Sequence, residues 1–171
     1  EKGQLVSSCC PAFVRYIKTN FPTLAEKISH NPSPMIAVGR YLKSIDEKAV
    51  TVFVGPCTAK KREALEATDG CIDYVMTFEE LQAVFNGKDI DLTTLEETPI
   101  DNASYFGRIF ARIGGLSEAV VQSLKEQNID FEVKPCICDG IDNIKSALNK
   151  MKRGNVDFNF LEGMACMGGC I

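Results

Sequence analysis

Apolar residues recur along the chain with two different periods, and the switching between them predicts an α/β protein. Gln4–Ser7 reads as a short strand that runs into Cys9-Cys10, and Pro11 suits the first position of a helix carrying Phe13, Tyr16, Ile17 and Phe21 near helical spacing. Pro22, Pro32 and Pro34 punctuate two further helical pieces, Thr23–Ile28 and about Met35–Ile45. Ala49-Val50-Thr51-Val52-Phe53-Val54 is short and β-branched, the pattern of a strand buried on both faces. Thr58 is placed to cap a helix through about Ala67. Ile72–Met76 predicts a third strand, and Thr77 with Glu80 three residues on predicts a capping box at the start of a helix to Phe85. Asn86–Asn102 is polar, carries Gly87 and Pro99, and reads as a long loop. After Gly114-Gly115 a helix is expected to about Gln127, then a strand over Phe131–Cys138, a helix over Ile141–Lys152 and a fifth strand over Phe158–Leu161.

Strands that alternate with helices imply a mostly parallel, twisted sheet of about four to five strands with helices on both faces. Ligands of such sheets collect beyond the C-terminal ends of the strands. Cys10, Cys57 and Cys166 each follow a predicted strand, so their sulfurs are expected to converge on one sheet edge.

Composition narrows the function. A chain of 171 residues with 45% hydrophobic content can bury one core, and a single α/β lobe over 1–171 is expected. Its 19 basic and 23 acidic side chains are interspersed, with a net charge of −4, so no basic stripe invites nucleic acid. No run approaches a membrane span and no signal-peptide pattern opens the chain, so the expected compartment is the cytoplasm. There, eight cysteines point to metal more than to disulfides. The chain opens almost directly on one cysteine motif and stops one residue after another, so a fragment truncated at both ends is expected.

Three stretches carry the chemistry: Ser7-Ser8-Cys9-Cys10-Pro11, Gly55-Pro56-Cys57-Thr58-Ala59-Lys60-Lys61-Arg62-Glu63, and Glu162-Gly163-Met164-Ala165-Cys166-Met167-Gly168-Gly169-Cys170. Their wide separation is unlike a ferredoxin run or a zinc finger, so the fold must bring the thiols together. Cys10 and Cys57 sit at helix N-termini, which favour thiolates and an anionic iron–sulfur cluster. Lys60 and Glu63 stand one turn beyond Cys57 and share its face, so both are read as pocket residues. Cys71, Cys136 and Cys138 read as small buried hydrophobes, and the Cys136-x-Cys138 pair is expected to point to opposite faces of its strand, a poor chelate. His30, the one histidine, reads as a solvated loop residue.

Taken in order, the three stretches resemble the signature motifs of the iron-only hydrogenase catalytic domain. The first is similar to that family's Thr-Ser-Cys-Cys-Pro-x-Trp, with Phe13 in the aromatic place, the second to Met-Pro-Cys-x-x-Lys-x-x-Glu and the third to Glu-x-Met-Ala-Cys-x-x-Gly-Cys. Phe110-Ala111-Arg112-Ile113-Gly114-Gly115-Leu116-Ser117-Glu118-Ala119 resembles its Phe-Gly-x-Thr-Gly-Gly-x-x-Glu-Ala element, and Ser29 and Ser33-Pro34 fall at the family's offset from the double cysteine. The resemblance implies one lobe of the hydrogenase catalytic domain and an H-cluster, a four-iron cubane joined to a two-iron subcluster with carbon monoxide, cyanide and an azadithiolate. By the same resemblance Cys10, Cys57, Cys166 and Cys170 hold the cubane, Cys170 bridging to the two-iron part. Lys60 donates to a cyanide, Glu63 fixes Lys60, and Met164 and Phe110 form apolar walls. Cys9 passes protons to the bridging amine and Ser29 serves a later step.

Gly55 stands where the family has methionine, Met35 where it has glutamine and Ile113 where it has threonine, departures that resemble the sensory branches of the family. Retention of Cys9 argues the other way, and the resemblance as a whole implies reversible oxidation of H2 to protons and electrons in the parent protein, with a ferredoxin or other iron–sulfur carrier and the maturation enzymes as partners. The alternatives are a low-turnover H2 sensor, a hydrogenase-like iron–sulfur assembly factor holding only a cubane, and a generic thiol-redox or zinc domain. Residues 1–171 made without maturation enzymes are expected to lack the two-iron subcluster and, with half the pocket missing, any cluster at all.

Overall fold

The computed structural model describes residues 3–67, 69–100 and 102–171. In chain order its elements are β1 (Leu5–Val6), α1 (Pro11–Asn20), a 3-10 turn (Pro22–Lys27), α2 (Pro34–Ile45), β2 (Val52–Val54), α3 (Ala59–Glu66), β3 (Tyr74–Met76), α4 (Phe78–Gly87), a 3-10 turn (Leu92–Thr94), α5 (Tyr105–Ile109), α6 (Gly115–Glu126), β4 (Pro135–Asp139), α7 (Gly140–Lys152) and β5 (Phe160–Met164). The fold is α/β and every strand pair is parallel. The strands fall into two sheets, β1-β5-β4 and β2-β3, because β1 pairs with the last strand and not with the next one. Each sheet belongs to its own compact unit, one made of residues up to Asn31 with Ala103–Ile171 and one of Pro32–Asn102.

The first unit is built on a dense apolar core. Cys10 caps α1 in an extended conformation and Pro11 occupies the first turn, where its missing N–H costs nothing. Phe13 and Ile17, four apart on α1, and Ile144 and Leu148, four apart on α7, are all 0% exposed. Full burial stabilises each such side chain by roughly 1.5–3 kcal/mol. All five residues of β5 are buried, so the strand covered on both faces is this central one. Phe13 packs so closely on it that a Cβ at Gly163 would meet the ring at 2.6 Å.

The second unit has a smaller core of Met35, Ile36 and Cys71, with Phe53, Ala64 and Val75 packed against it. The expected double burial of the segment ending at Val54 does not occur: Val52 and Val54 are 49% and 37% exposed. β2 pairs with β3 in a two-stranded sheet, which leaves its other edge unpaired among the described residues. Polar lacing makes up part of the difference. Asp73 accepts from Lys43 Nζ at 2.8 Å, Thr51 N–H at 2.7 Å and Thr51 Oγ1 at 2.9 Å, and the Thr51 hydroxyl donates to the Cys71 carbonyl at 2.8 Å in alternative geometry.

Local expectations fare according to whether a neighbour decides them. The Thr77–Glu80 capping box is present in both directions. Thr58 makes no side-chain cap, because its backbone is already helical (φ −71°, ψ −27°) where a capping residue needs an extended one. β4 begins at Pro135 and not at Phe131, since the Asn159 side chain takes over the backbone partners before it, accepting from Lys134 N–H at 2.7 Å and donating to the Glu132 carbonyl at 2.7 Å.

Candidate functional site

Cys10 is buried at the N-terminus of α1, and its carbonyl accepts the Val14 N–H at 3.0 Å to close the first turn. No acidic side chain lies in that turn, so the positive end of the helix faces the thiol uncompensated. Cys9 is half-buried and packs against the same core. The segment around it is laced to residues 29–31: Ser29 N–H donates to Val6 O at 2.8 Å, and Ser8 Oγ donates to Asn31 O at 2.7 Å. The Ser29 hydroxyl accepts from Asn31 N–H at 3.2 Å. His30 is exposed beside it.

β5 delivers the last cysteine stretch to the same end of the sheet, because β1 and β5 run parallel and both motifs follow their C-terminal ends. Met164, the final residue of β5, is 3% exposed. Gly168 and Gly169 take left-handed backbone (φ 81° and 101°), and a Cβ at Gly169 would lie 2.5 Å from the Ala111 carbonyl, so the turn requires glycine there. Cys166 is exposed and Cys170 half-buried. Cys170 N–H donates to Ala111 O at 2.8 Å, which ties this loop to the stretch that starts at the half-buried Phe110. A further clamp comes from Asp139, whose Oδ1 accepts the Gly168 N–H at 2.7 Å.

Glu162 is the feature that reading the chain left without a role. It is 0% exposed, and its carboxylate accepts from Gly114 N–H at 2.8 Å, Ser117 N–H at 2.8 Å and Ser117 Oγ at 2.6 Å. The carboxylate thus sits on the N-terminus of α6, where orphan backbone donors and the helix dipole both favour an anion. It joins the Gly114-Gly115 element to the strand that carries Met164. The available signal was an acidic residue inside an otherwise apolar strand.

In the second unit, Cys57 is half-buried three residues beyond β2, just before α3. Lys60 is buried in the first turn of α3, and its Nζ donates to Glu63 Oε2 at 2.7 Å. The first turn again lacks an acidic side chain. The half-buried Cys57 thus precedes a helix N-terminus whose first turn carries the buried Lys60, salt-bridged to Glu63.

The remaining thiols divide. Cys71 and Cys138 are each 2% exposed, as small hydrophobes should be. Burial first, then Asp69, pushes the Cys71 thiol up, and burial first, then the neighbouring Cys136, pushes Cys138 up to about 12. The expectation that Cys136 and Cys138 point apart is wrong: residues two apart in a strand share a face, and the two sulfurs lie 3.9 Å from each other.

The structure therefore assembles Cys9, Cys10 and Cys170 on one core in the first unit, with Cys166 at the end of the same sheet, and Cys57, Lys60 and Glu63 inside the second. Among the described residues, no three His, Cys, Asp or Glu side chains gather into a metal-holding group. The donor chemistry nevertheless suits an anionic iron–sulfur group, since the buried Cys10 and the half-buried Cys57 each stand at a helix N-terminus with no acidic side chain in the first turn.

The model of the family described as "Iron only hydrogenase large subunit, C-terminal domain" matches residues 1–171. Iron hydrogenase 1 of Clostridium pasteurianum is 32% identical over 210 aligned residues, covering 98% of this chain and 37% of that protein. Cytosolic iron-sulfur assembly component 3 of Mus musculus is 24% identical over 220 residues, covering 100% of this chain and 46% of that protein. A variant of the FeFe-hydrogenase HydA1 from Chlamydomonas reinhardtii shares the fold with a TM-score of 0.71 at 23% identity, over 97% of this chain and 60% of that one. The chain spans between about a third and a half of the length of the curated relatives it matches.

Proposed function

Because the chain belongs to the family of the iron-only hydrogenase large subunit, C-terminal domain, we propose that it is the cluster-binding part of a protein that interconverts H2 with protons and electrons. The observation that carries this reading is the buried Lys60 salt-bridged to Glu63 one turn beyond Cys57. A buried ammonium is costly unless it serves a partner or a ligand, and its charge suits an anion such as cyanide bound near it. Cys10, Cys57, Cys166 and Cys170 are the proposed ligands of the H-cluster, with Met164 and Phe110 as its apolar walls. When bound, that group supplies the open iron site that polarises H2 and the store that takes its electrons.

The chain's own residues orient and shuttle. Cys9 is adjacent to the proposed ligand Cys10 but half-buried where Cys10 is buried, which suits a thiol that hands a proton inward. Ser29 lies in the segment laced to it and continues the path outward. The cytoplasm, a ferredoxin-type carrier and the maturation enzymes complete the proposal. No helix among the described residues is long and apolar enough to cross a membrane.

A second reading, an assembly factor that holds only a cubane, is favoured by the match to the mouse assembly component along the whole chain. Lys60, Glu63 and Cys9 favour the hydrogenase reading over it, because a plain cubane has no cyanide to receive and no amine to protonate. The test is to mature the full-length parent protein and record infrared bands of carbon monoxide and cyanide with H2 evolution. Bands are expected in the unchanged protein and in Cys9→Ser, and the latter should turn over far more slowly. Cys10→Ser should lose them. Absence of the bands from the unchanged matured protein overturns the reading in favour of an assembly role, and full activity of Cys9→Ser overturns the proton role.

A further inference from the structure

Two thiols outside the motif stretches stand side by side on β4. Cys136 pairs with Leu161 and Cys138 with Gly163 in an unbroken parallel register, so the backbone holding them is fixed by β5. Their sulfurs are 3.9 Å apart. A tetrahedral centre with metal–sulfur bonds of about 2.3 Å holds two thiolates about 3.8 Å apart. We propose that Cys136 and Cys138 form a two-thiolate site for a thiophilic divalent cation of the zinc class, separate from the motif cysteines.

A disulfide is the other use of such a pair, and the strand opposes it. Bonded sulfurs lie about 2.05 Å apart with Cα atoms at most about 6.8 Å apart, and residues two apart in a strand already reach roughly 6.6–6.8 Å. Closing the bond puts the Cα separation at the upper limit of disulfide geometry, in a strand whose five residues are all held in register with β5. A cation bridges the existing separation without moving the backbone.

The environment fits capture from solvent. Cys136 is half-buried and open to an incoming ion, while Cys138 is 2% exposed and anchors it. Binding replaces two S–H bonds with two metal–sulfur bonds and releases two protons to solvent, with no change of oxidation state. The deep thiol, hard to ionise alone, is deprotonated by the cation's own charge. Lys150 and Glu162 are the charged groups bearing on Cys138. The Glu162 oxygens are engaged by Gly114 and Ser117, so water or a small thiol fills the two remaining positions.

The test titrates the reduced full chain with Cd2+, read by thiolate-to-cadmium charge-transfer absorption, and then with Zn2+ in competition. Cadmium taken up by the motif cysteines is common to every variant. Cys136→Ser, at a half-buried position, and Cys138→Ala, which adds no polar atom to the core, should each lose one equivalent of cadmium, and the double variant should lose no more than either. Zinc should also protect Cys136 from alkylation in the unchanged chain and not in Cys138→Ala. Equal cadmium in Cys136→Ser and the unchanged chain overturns the site, as does alkylation of Cys136 at the same rate with and without zinc. Loss of the hydrogenase reading would leave both results untouched.

Discussion

The two units put carboxylates to opposite uses. In the first, Glu162 is wholly buried amid a core that already contains Phe13, Ile17, Ile144, Leu148 and Leu161 at 0% exposure, and it points at the start of a helix. In the second, Asp73 laces Lys43 and Thr51 near the surface, around a core of three buried residues. Apolar packing thus holds the first unit and the carboxylate positions a site element within it. In the second, a polar cluster shares the task of holding the fold.

The largest expected effect breaks the first half of this contrast. Phe13→Ala should cost about 3–5 kcal/mol, the usual range for an aromatic removed from a core. Hydrogen exchange should then rise in α1, α7 and β5 and stay nearly unchanged in α2 and α3. Glu162→Ala comes next, at about 2–4 kcal/mol, because each buried donor left unsatisfied carries its own desolvation penalty. The same exchange measurement should show α6 loosening from its first turn, and Glu162→Gln should recover part of the loss.

Thr77→Ala removes one half of the capping box on α4 and should cost about 1 kcal/mol, read as a lower denaturation midpoint with an unchanged slope. Asp73→Asn, at an exposed cluster, should have the smallest effect of the four, present in full at neutral pH and fading in acid. Lys43 first, then the Thr51 backbone and hydroxyl, hold the Asp73 carboxyl down from 3.8 to about 2. A depressed carboxylate contributes stability above its ordinary range and loses it as pH falls toward the folded value. Acid unfolding of the unchanged chain should therefore steepen between those two values, and Asp73→Asn should lack that step. An identical acid profile for the two proteins would show that Asp73 does not stabilise the second unit.

What could be read from the chain was local. Pro11 at the start of α1, the Thr77–Glu80 box and the strand-to-helix handovers at Cys10 and Cys57 are each settled within a few residues. The split into two sheets depends on β1 choosing β5, and the exposure of Val52 depends on β2 gaining a single partner, neither of which a window along the chain contains. Glu162 finds donors 48 and 45 residues away, so its role had no local signature beyond its charge. Cys136 and Cys138 were a different case. The period of two was legible, and applied correctly it places them on one face.

The pairing of Leu5 with Phe160 bears on how the protein is made. On a ribosome the segment from Pro32 to Asn102 emerges whole, a compact unit continuous in sequence, and can fold while synthesis continues. The first unit cannot close until β5 has left the exit tunnel, since the central strand of its sheet is the last of the three in chain order. Cys10, at the head of α1, therefore waits in a nascent chain for the core that β5 completes.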